Sequence, residues 1–150
     1  MRNSKLYVCL PVLEESNNIL KLLDLLSAQS YQNFELIVCV NQPDEWWLNN
    51  EKLSSCEDNQ ESIALLKEEN RFPVHILDNS SKGKGWQAKQ KGVGWARKKA
   101  MDEAANLGSD LDLILSIDAD TIYETDYFSS IIGIFSDHPE IVGLSNPYYH

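Results

Sequence analysis

Short apolar runs that alternate with helical stretches constrain the fold of this chain more than any other feature. Four runs have the length of a strand and end in polar residues: Leu6–Leu10, Phe34–Val40, Pro73–Leu77 and Leu111–Ile117. A continuous apolar run indicates a strand that is buried on both faces, as in a parallel sheet. Strands that alternate with helices predict an α/β fold with a mostly parallel sheet and right-handed crossovers.

The remaining elements follow from periodicity and turn residues. Four helices are predicted, the first capped by Ser16 or Asn17 and the others over about Glu61–Glu69, Trp86–Ala105 and Asp126–Ser136. Ile141–Leu144 is predicted to begin a fifth strand. The polar stretch Glu45–Asn59 is interpreted as an insertion or a mobile loop, in which we favour a local anchoring role for Trp46 and Trp47. No internal boundary is visible, so we treat residues 1–150 as one domain.

Composition allows a folded core and excludes two classes of partner. The 150 residues are 43% hydrophobic, which is enough to fill the core of a single domain. The formal net charge of −10 argues against a general binder of nucleic acids or of anionic membranes, because both functions need a broad basic surface. One segment, Lys82–Lys99, carries seven basic residues and no acidic one, which suits a small anionic ligand.

Cysteine usage and hydropathy predict a soluble, cytoplasmic chain. Cys9, Cys39 and Cys56 form no CxxC pair, and two of them lie in apolar runs where a thiol behaves as a small hydrophobe. No segment approaches the roughly 18 apolar residues of a membrane span. The first residues do not resemble a signal peptide, since the apolar run there is short and acids interrupt it.

Two carboxylates follow the fourth apolar run directly. In the sequence LILSIDADT, Asp118 and Asp120 are separated by the small Ala119 at the point where the chain leaves the predicted sheet. Two carboxylates on one turn can face a hard divalent cation, and such a cation keeps open positions for phosphate oxygens. The alternative is that Asp118 caps a turn and that Asp120 or Thr121 caps the next helix.

Polar clusters follow three of the predicted strands and should converge on one edge of a parallel sheet. They are Pro11–Glu15, Asn41–Asp44 and Asp118–Asp120. Ligands of open α/β sheets bind at this edge. The segment Lys82–Lys91 adds backbone N–H groups and ammonium groups to it. A nucleoside diphosphate with a divalent cation would fit such a site.

Four motifs along the chain match, in order, those of one enzyme family. VCLPVLEESNNI resembles its turn after the first strand, with Pro11, Leu13, Glu14 and Glu15 in corresponding places. AQSYQNFELIVCVN matches its second-strand motif, and GKGWQAKQKG matches its Gly and Ala-Arg-Asn-x-Gly signature. Asp118–Asp120 matches its Asp-x-Asp motif. Together these motifs resemble the nucleotide-sugar-dependent glycosyltransferases of family 2, which have the GT-A fold.

The resemblance implies a fold, an activity and a set of site residues. The fold would be a Rossmann-like three-layer α/β/α domain whose C-terminal part is missing or truncated. The activity would be transfer of a sugar from a nucleotide-diphosphate donor to the hydroxyl of a glycan or lipid-linked acceptor, with the general base beyond residue 150. The nucleotide-sugar-binding residues would be Pro11, Leu13, Glu15, Asn41, Lys84, Lys89, Asp118 and Ala119. Asp118 and Asp120 would hold Mn²⁺ or Mg²⁺, which offsets the charge of the leaving diphosphate.

Two positions depart from the family pattern. Asn41 stands where the family usually has a base-reading Asp, so a carboxylate acceptor is replaced by an amide that also donates. Lys89 stands for the usual Arg and loses its bidentate geometry. The resemblance therefore leaves the nucleotide open.

Two other interpretations are open. The stretch Asp118–Ile122 approximates the nucleophile motif of haloacid dehalogenase phosphatases, although that chemistry needs a downstream lysine and none follows Ile122. The other is a non-catalytic module that binds a nucleotide or a protein, with the loop around Trp46 and an exposed sheet edge as contacts. Such an edge would also allow a homo-oligomer.

Overall fold

The sheet is parallel throughout, as the alternation of strands and helices predicts. The computed structural model describes residues 3–87 and 92–145. The strands are β1 (Leu6–Val12), β2 (Phe34–Asn41), β3 (Val74–Asn79) and β4 (Leu113–Ser116). They form one sheet in the order β3-β2-β1-β4, and each neighbouring pair is parallel. Short β4 lies at one edge.

Helices cover both faces of the sheet and give three layers. They are α1 (Ser16–Ser27), α2 (Leu53–Lys67), α3 (Val93–Leu107) and α4 (Tyr127–Asp137). Alternate residues of β1 and β2 face one core, built with α1, α2 and Phe128 of α4, while the intervening residues face α3. The three-layer α/β/α prediction is therefore confirmed. Within the described ranges, no helix combines the length and the apolarity needed to cross a bilayer.

The inner face of α3 carries small side chains that let the helix lie close to the sheet. Ala96, Ala100 and Ala104 are at most 1% exposed and pack in the same core as Tyr7 of β1. A spacing of four residues keeps the three alanines on one stripe of the helix. From this closely packed helix, the side chain of Arg97 reaches the end of β4.

The interpretation of Glu45–Asn59 as a mobile loop is wrong, because this stretch is mostly helical, while its interpretation as an insertion stays a prediction. Two 3₁₀ turns, Asp44–Leu48 and Asn50–Lys52, lead directly into α2. The buried face of the first half of α2 has two polar side chains, Ser55 and Asn59, and one small apolar side chain, Cys56. Hydrophobic periodicity therefore gives no sign of the first half of this helix.

The tryptophan pair anchors these turns, as predicted. The indole N–H of Trp47 donates to the carbonyl oxygen of Ser80 at 2.8 Å. The ring of Trp46 lies 4.8 Å from Nζ of Lys52, which is a cation–π distance. Both tryptophans are half-buried.

α3 begins at Val93, later than the predicted start near Trp86. Trp86 is buried and forms an isolated parallel bridge with Pro43, so it pairs with the chain that leaves β2 and is not part of α3. Gly92, directly before the helix, has a φ of +102°, which glycine adopts without the strain that a side chain would add. Nothing lies within 4 Å of the position that a Cβ of Gly94 would take, so close packing does not explain this glycine.

The predicted fifth strand, Ile141–Leu144, is wrong, since these residues have no regular secondary structure. The N–H of Ile141 bonds to the carbonyl oxygen of His138 at 3.1 Å, which makes a turn where the strand was predicted to begin. Val142 is fully exposed. Within residues 3–87 and 92–145, the outer edge of β4 has no strand beside it.

Candidate functional site

The carboxyl ends of the parallel strands meet at one edge of the sheet. Cys9 of β1 pairs with Ser116, the last residue of β4, and Asp118 follows two residues later. Asn41 is the last residue of β2, on the other side of β1. The polar clusters predicted to converge therefore do follow neighbouring strands of one sheet.

Tyr123 fixes the backbone of the Asp118–Asp120 turn. Its hydroxyl accepts the N–H of Asp118 at 3.0 Å and donates to the carbonyl oxygen of Asp118 at 3.4 Å. Burial raises the pKa of Tyr123, so the hydroxyl keeps its proton at neutral pH. Ala119 is buried in the turn, whereas Asp120 is exposed. The turn thus holds one carboxylate in solvent and the other, Asp118, half-buried.

Arg97 of α3 pairs with the carboxylate of Asp118. Its Nη2 donates to Oδ1 of Asp118 at 2.9 Å, and its Nη1 donates to the hydroxyl of Ser116 at the end of β4. The side chain of Arg97 is 33% exposed and that of Asp118 is 40% exposed, so the pair is open to solvent. Sequence reasoning missed this role. The one available signal was the basic segment Lys82–Lys99, which contains Arg97.

Asn41, predicted to face the base or ribose, is 1% exposed. Its Nδ2 donates to the carbonyl oxygen of Val12 at 2.9 Å, and its Oδ1 accepts the indole N–H of Trp86 at 2.9 Å. Both ends of the amide therefore join β1, β2 and the segment after β3. Burial leaves little of this amide accessible to a nucleotide, and the predicted role of Asn41 stays a prediction.

α2 supports the turn after β1 with side chains that sequence reasoning also missed. Oδ1 of Asn59 accepts the N–H of Glu14 at 2.9 Å, and the hydroxyl of Ser55 donates to the carboxylate of Glu14. Glu14 needs this support because its φ of +55° lies in the left-handed region, which is uncommon for a residue with a side chain. The signal in the sequence would have been the polar residues at helical spacing.

Asp58 of α2 caps α1 from outside the helix. Its carboxylate accepts the N–H of Ser16 at 3.1 Å and the hydroxyl of Ser16 at 2.6 Å. Glu15 holds the capping position and makes no capping bond with its side chain. The prediction that Ser16 or Asn17 caps this helix is therefore wrong. A carboxylate at a helix N-terminus satisfies a backbone donor and complements the helix dipole.

The predicted ligand residues of the turn after β1 lie at the carboxyl edge with different exposures. Pro11 is buried within β1, while Leu13 and Glu15 are half-buried in the turn. The carboxylate of Glu15 accepts a hydrogen bond from Nδ2 of Asn18 at 2.6 Å. The turn thus has one half-buried apolar residue, and its half-buried acid is bonded to the first turn of α1.

The loop after β3 is held by its own carboxylate. Burial raises the pKa of Asp78, but hydrogen bonds from Ser81 and Ser80 outweigh burial and hold this pKa below its usual range. Lys84 is exposed, with Nζ 3.9 Å from the Asp78 carboxylate. Lys89 lies outside the described residues.

A cavity of about 680 Å³ opens beside β4, which is large enough for a small-molecule ligand. Arg97, Asp118 and Tyr123 line it on one side, with Ile114 and Leu144 among its apolar walls. The described residues that line it include none from the turn after β1. The structure therefore brings Asp118 and Arg97 together at a cavity, with Pro11, Leu13, Glu15 and Asn41 in a separate group nearer the centre of the sheet.

The donor set at the carboxylate turn fits a hard divalent cation that keeps open positions. Asp118 and Asp120 present carboxylate oxygens from the two ends of one turn, and both reach solvent. In the described part of the chain, no three His, Cys, Asp or Glu side chains lie close enough together to hold a metal ion by themselves. A cation held here would take its other ligands from water and from phosphate oxygens, as Mg²⁺ commonly does.

Comparison with known proteins gives a likeness in fold. No protein-family model matches the chain, and no curated protein matches it. Among solved structures, S. aureus TarS, residues 1–349 in complex with UDP-GlcNAc, is 17% identical with a TM-score of 0.57, over 90% of this chain and 32% of that one. A second structure of TarS 1–349 is 15% identical with a TM-score of 0.57, over 95% of this chain and 38% of that one.

The likeness covers only part of the TarS structures. The chain spans about a third of the length of the TarS structures that it matches. At 15–17% identity the match concerns the fold alone. The chain therefore shares with the TarS structures an α/β fold, which here has a parallel sheet and helices on both faces.

Proposed function

We propose that this chain binds a nucleotide-diphosphate sugar as the donor-binding part of a glycosyltransferase similar to family 2. The observation that carries the proposal is the Asp118–Asp120 turn at the carboxyl end of β4, with its backbone held by Tyr123 and with Arg97 beside it. The motifs of the sequence and the fold shared with TarS support the same class of ligand. Because TarS was crystallised with UDP-GlcNAc, this donor is the first to test.

The carboxylate turn would bind the diphosphate. Asp118 and Asp120 would hold Mn²⁺ or Mg²⁺ by their carboxylate oxygens. When bound, the cation offsets the negative charge that develops on the departing nucleoside diphosphate. Arg97 adds a planar cation at the same turn, with paired N–H donors that match the geometry of a phosphate.

The turn after β1 would bind the nucleoside. Pro11, Leu13 and Glu15 lie at the carboxyl end of β1, next to the strand that carries Asp118. Asn59 and Asp58 of α2 fix this turn before any ligand arrives. A turn that is already ordered lowers the free-energy cost of ordering the site when a ligand binds. Asn41 would then hold the turn after β1 in place. Lys84 and Lys89 would add positive charge near the phosphates, and Ala119 would leave room for the sugar.

Calorimetric titration of UDP-GlcNAc, GDP-mannose and dTDP-glucose into the purified chain tests the proposal. One donor is expected to bind with Mn²⁺, to lose binding when EDTA is present, and to bind at least about tenfold more weakly to Asp120→Ala. Asp110→Ala, which removes an exposed carboxylate before β4, serves as the matched control. Cation-independent binding of all three donors, or no binding by a chain with the circular dichroism of an α/β fold, would contradict the proposal.

Two further assays separate the alternatives. Hydrolysis of an aryl phosphate with Mg²⁺ would favour a phosphatase over a transferase. Saturable donor binding without sugar transfer or donor hydrolysis would favour a non-catalytic nucleotide-binding module.

A further inference from the structure

The carboxylate of Asp118, which is proposed to bind the cation, already has a cationic partner. Nη2 of Arg97 donates to Oδ1 at 2.9 Å, and the other end of the guanidinium is steadied by the hydroxyl of Ser116. Two positive groups at one carboxylate repel each other. The ion pair in the structure and cation binding at Asp118 therefore compete.

The surroundings of Arg97 allow it to change partners. Its side chain is 33% exposed and lines the cavity of about 680 Å³ beside β4. The ion pair lies in solvent rather than in a dry core, where opening it would be far more costly. An arginine that lines the same cavity as the carboxylate turn can therefore reach an anion bound there without crossing packed side chains.

The neighbouring basic residues of α3 have other partners. Nζ of Lys98 pairs with Asp102 at 2.5 Å. Nζ of Lys99 donates to Oδ1 of Asn79 at 2.5 Å and lies 5.7 Å from the ring of Trp86. Among the described cations of this helix, Arg97 is the one that contacts the carboxylate turn.

We propose that Arg97 exchanges partners in the donor-binding cycle: it pairs with Asp118 while the site holds no donor and turns to the diphosphate when Asp118 binds the cation. This inference rests on the proposed function. Without a donor, Arg97 competes with the cation and weakens its binding. With a donor, the diphosphate gives the guanidinium a new anionic partner, so the cation and the donor each improve the binding of the other.

Mn²⁺ binding without nucleotide tests the competition directly, by the electron paramagnetic resonance signal of unbound Mn²⁺. Arg97→Gln is expected to bind Mn²⁺ alone about three- to tenfold more tightly than the unaltered chain. The same variant is expected to bind UDP-GlcNAc, or whichever donor binds the unaltered chain, about tenfold or more weakly in saturating Mn²⁺. Lys98→Gln removes one charge from the same helix and should leave both affinities within about twofold.

Arg97→Lys gives a second test that does not depend on the stability of Arg97→Gln. It keeps the charge but lacks the planar fork that bridges Ser116 and Asp118, so Mn²⁺ alone should bind more tightly than to the unaltered chain, by a smaller factor than in Arg97→Gln. Thermal unfolding of each variant verifies that it is folded.

The outcomes distinguish this inference from the proposed function. Weaker donor binding in Arg97→Gln with unchanged Mn²⁺ affinity would make Arg97 a plain diphosphate contact and would overturn the exchange. Unchanged affinities for both ligands would overturn it too, while Mn²⁺-dependent donor binding by the unaltered chain would leave the proposed function standing. Absence of both Mn²⁺ and donor binding from the unaltered, folded chain would overturn the proposed function and the exchange together.

Discussion

Asn59 of α2 accepts the backbone N–H of Glu14, in the turn after β1, at 2.9 Å. The same side chain donates from Nδ2 to Oε1 of Gln42, just after β2, at 3.0 Å. Asn59 and Gln42 are fully buried. One amide thus holds the loops that follow two neighbouring strands, and the shape of the carboxyl edge depends on a helix that contributes no predicted ligand.

Asn59→Ala is expected to lower the free energy of unfolding by about 1–3 kcal/mol, because a partly buried backbone donor and a buried amide oxygen lose their partner. Urea unfolding measures the change. Asn50→Ala, in the exposed 3₁₀ turn before α2, is the control and should stay within about 0.5 kcal/mol of the unaltered chain. Equal stabilities of the two variants would show that α2 does not hold the turn.

Substitutions at Glu14 test the left-handed backbone of the same turn. Its φ of +55° is tolerated best by Asn or Gly and worst by β-branched residues. We expect Glu14→Val to be less stable than Glu14→Asn by about 1–2 kcal/mol, as judged from thermal unfolding. Both variants lose the bond from Ser55, so the difference between them isolates the backbone. Equal melting temperatures would mean that this residue relaxes to negative φ.

The sheet is predictable from sequence because its strands are continuous apolar runs. β1 and β2 lie at 0–5% exposure over their apolar residues, so burial on both faces leaves an unambiguous pattern. The first half of α2 is not predictable in this way. Its inner face is mostly polar, and the partners that justify Asn59 and Asp58 lie 45 and 42 residues earlier in the chain.

The candidate site likewise has residues that the sequence predicts and residues that it does not. Asp118 and Asp120 are recognisable because strand, turn and carboxylates are adjacent in sequence. The contact between Arg97 and Asp118 spans 21 residues and has no local pattern. Asn41 is the last residue of an apolar strand, a position where the sequence predicts an exposed ligand. The structure instead buries Asn41 and bonds its Oδ1 to Trp86, 45 residues away. Long-range polar contacts decide these roles, and composition and periodicity do not report them.

The lowered pKa of Glu35 in β2 predicts how the free energy of unfolding depends on pH. A hydrogen bond from Nζ of Lys5 at 2.5 Å, followed by one with Nε2 of His75 at 2.7 Å, holds the pKa of Glu35 below its usual value of 4.5. Because the pKa is lower in the folded state, the stabilisation is fully present above about 4.5 and is lost as the pH falls through the folded value.

Glu35→Gln removes this titration. The free energy of unfolding of Glu35→Gln should therefore fall less than that of the unaltered chain between about pH 5 and about pH 3, as followed by urea unfolding. Glu61→Gln removes an exposed carboxyl of α2 and controls for the loss of one acid. Parallel pH profiles for Glu35→Gln and the unaltered chain would be inconsistent with a bridged carboxylate.

Substitution by alanine should lower the free energy of unfolding at Gly85 and raise it at Gly94. A Cβ at Gly85 would lie 2.6 Å from both Cα and N of Asp44 and 2.8 Å from the carbonyl oxygen of Gln42, and these are backbone atoms beside the Pro43–Trp86 bridge. Gly85→Ala is therefore expected to lower the free energy of unfolding by about 1–3 kcal/mol. A Cβ at Gly94 meets nothing within 4 Å, and alanine favours the helix by up to about 1 kcal/mol, so Gly94→Ala should be the more stable chain. Urea unfolding of the two variants decides between them, and a Gly85→Ala chain as stable as Gly94→Ala would mean that the loop after β3 does not pack against Asp44.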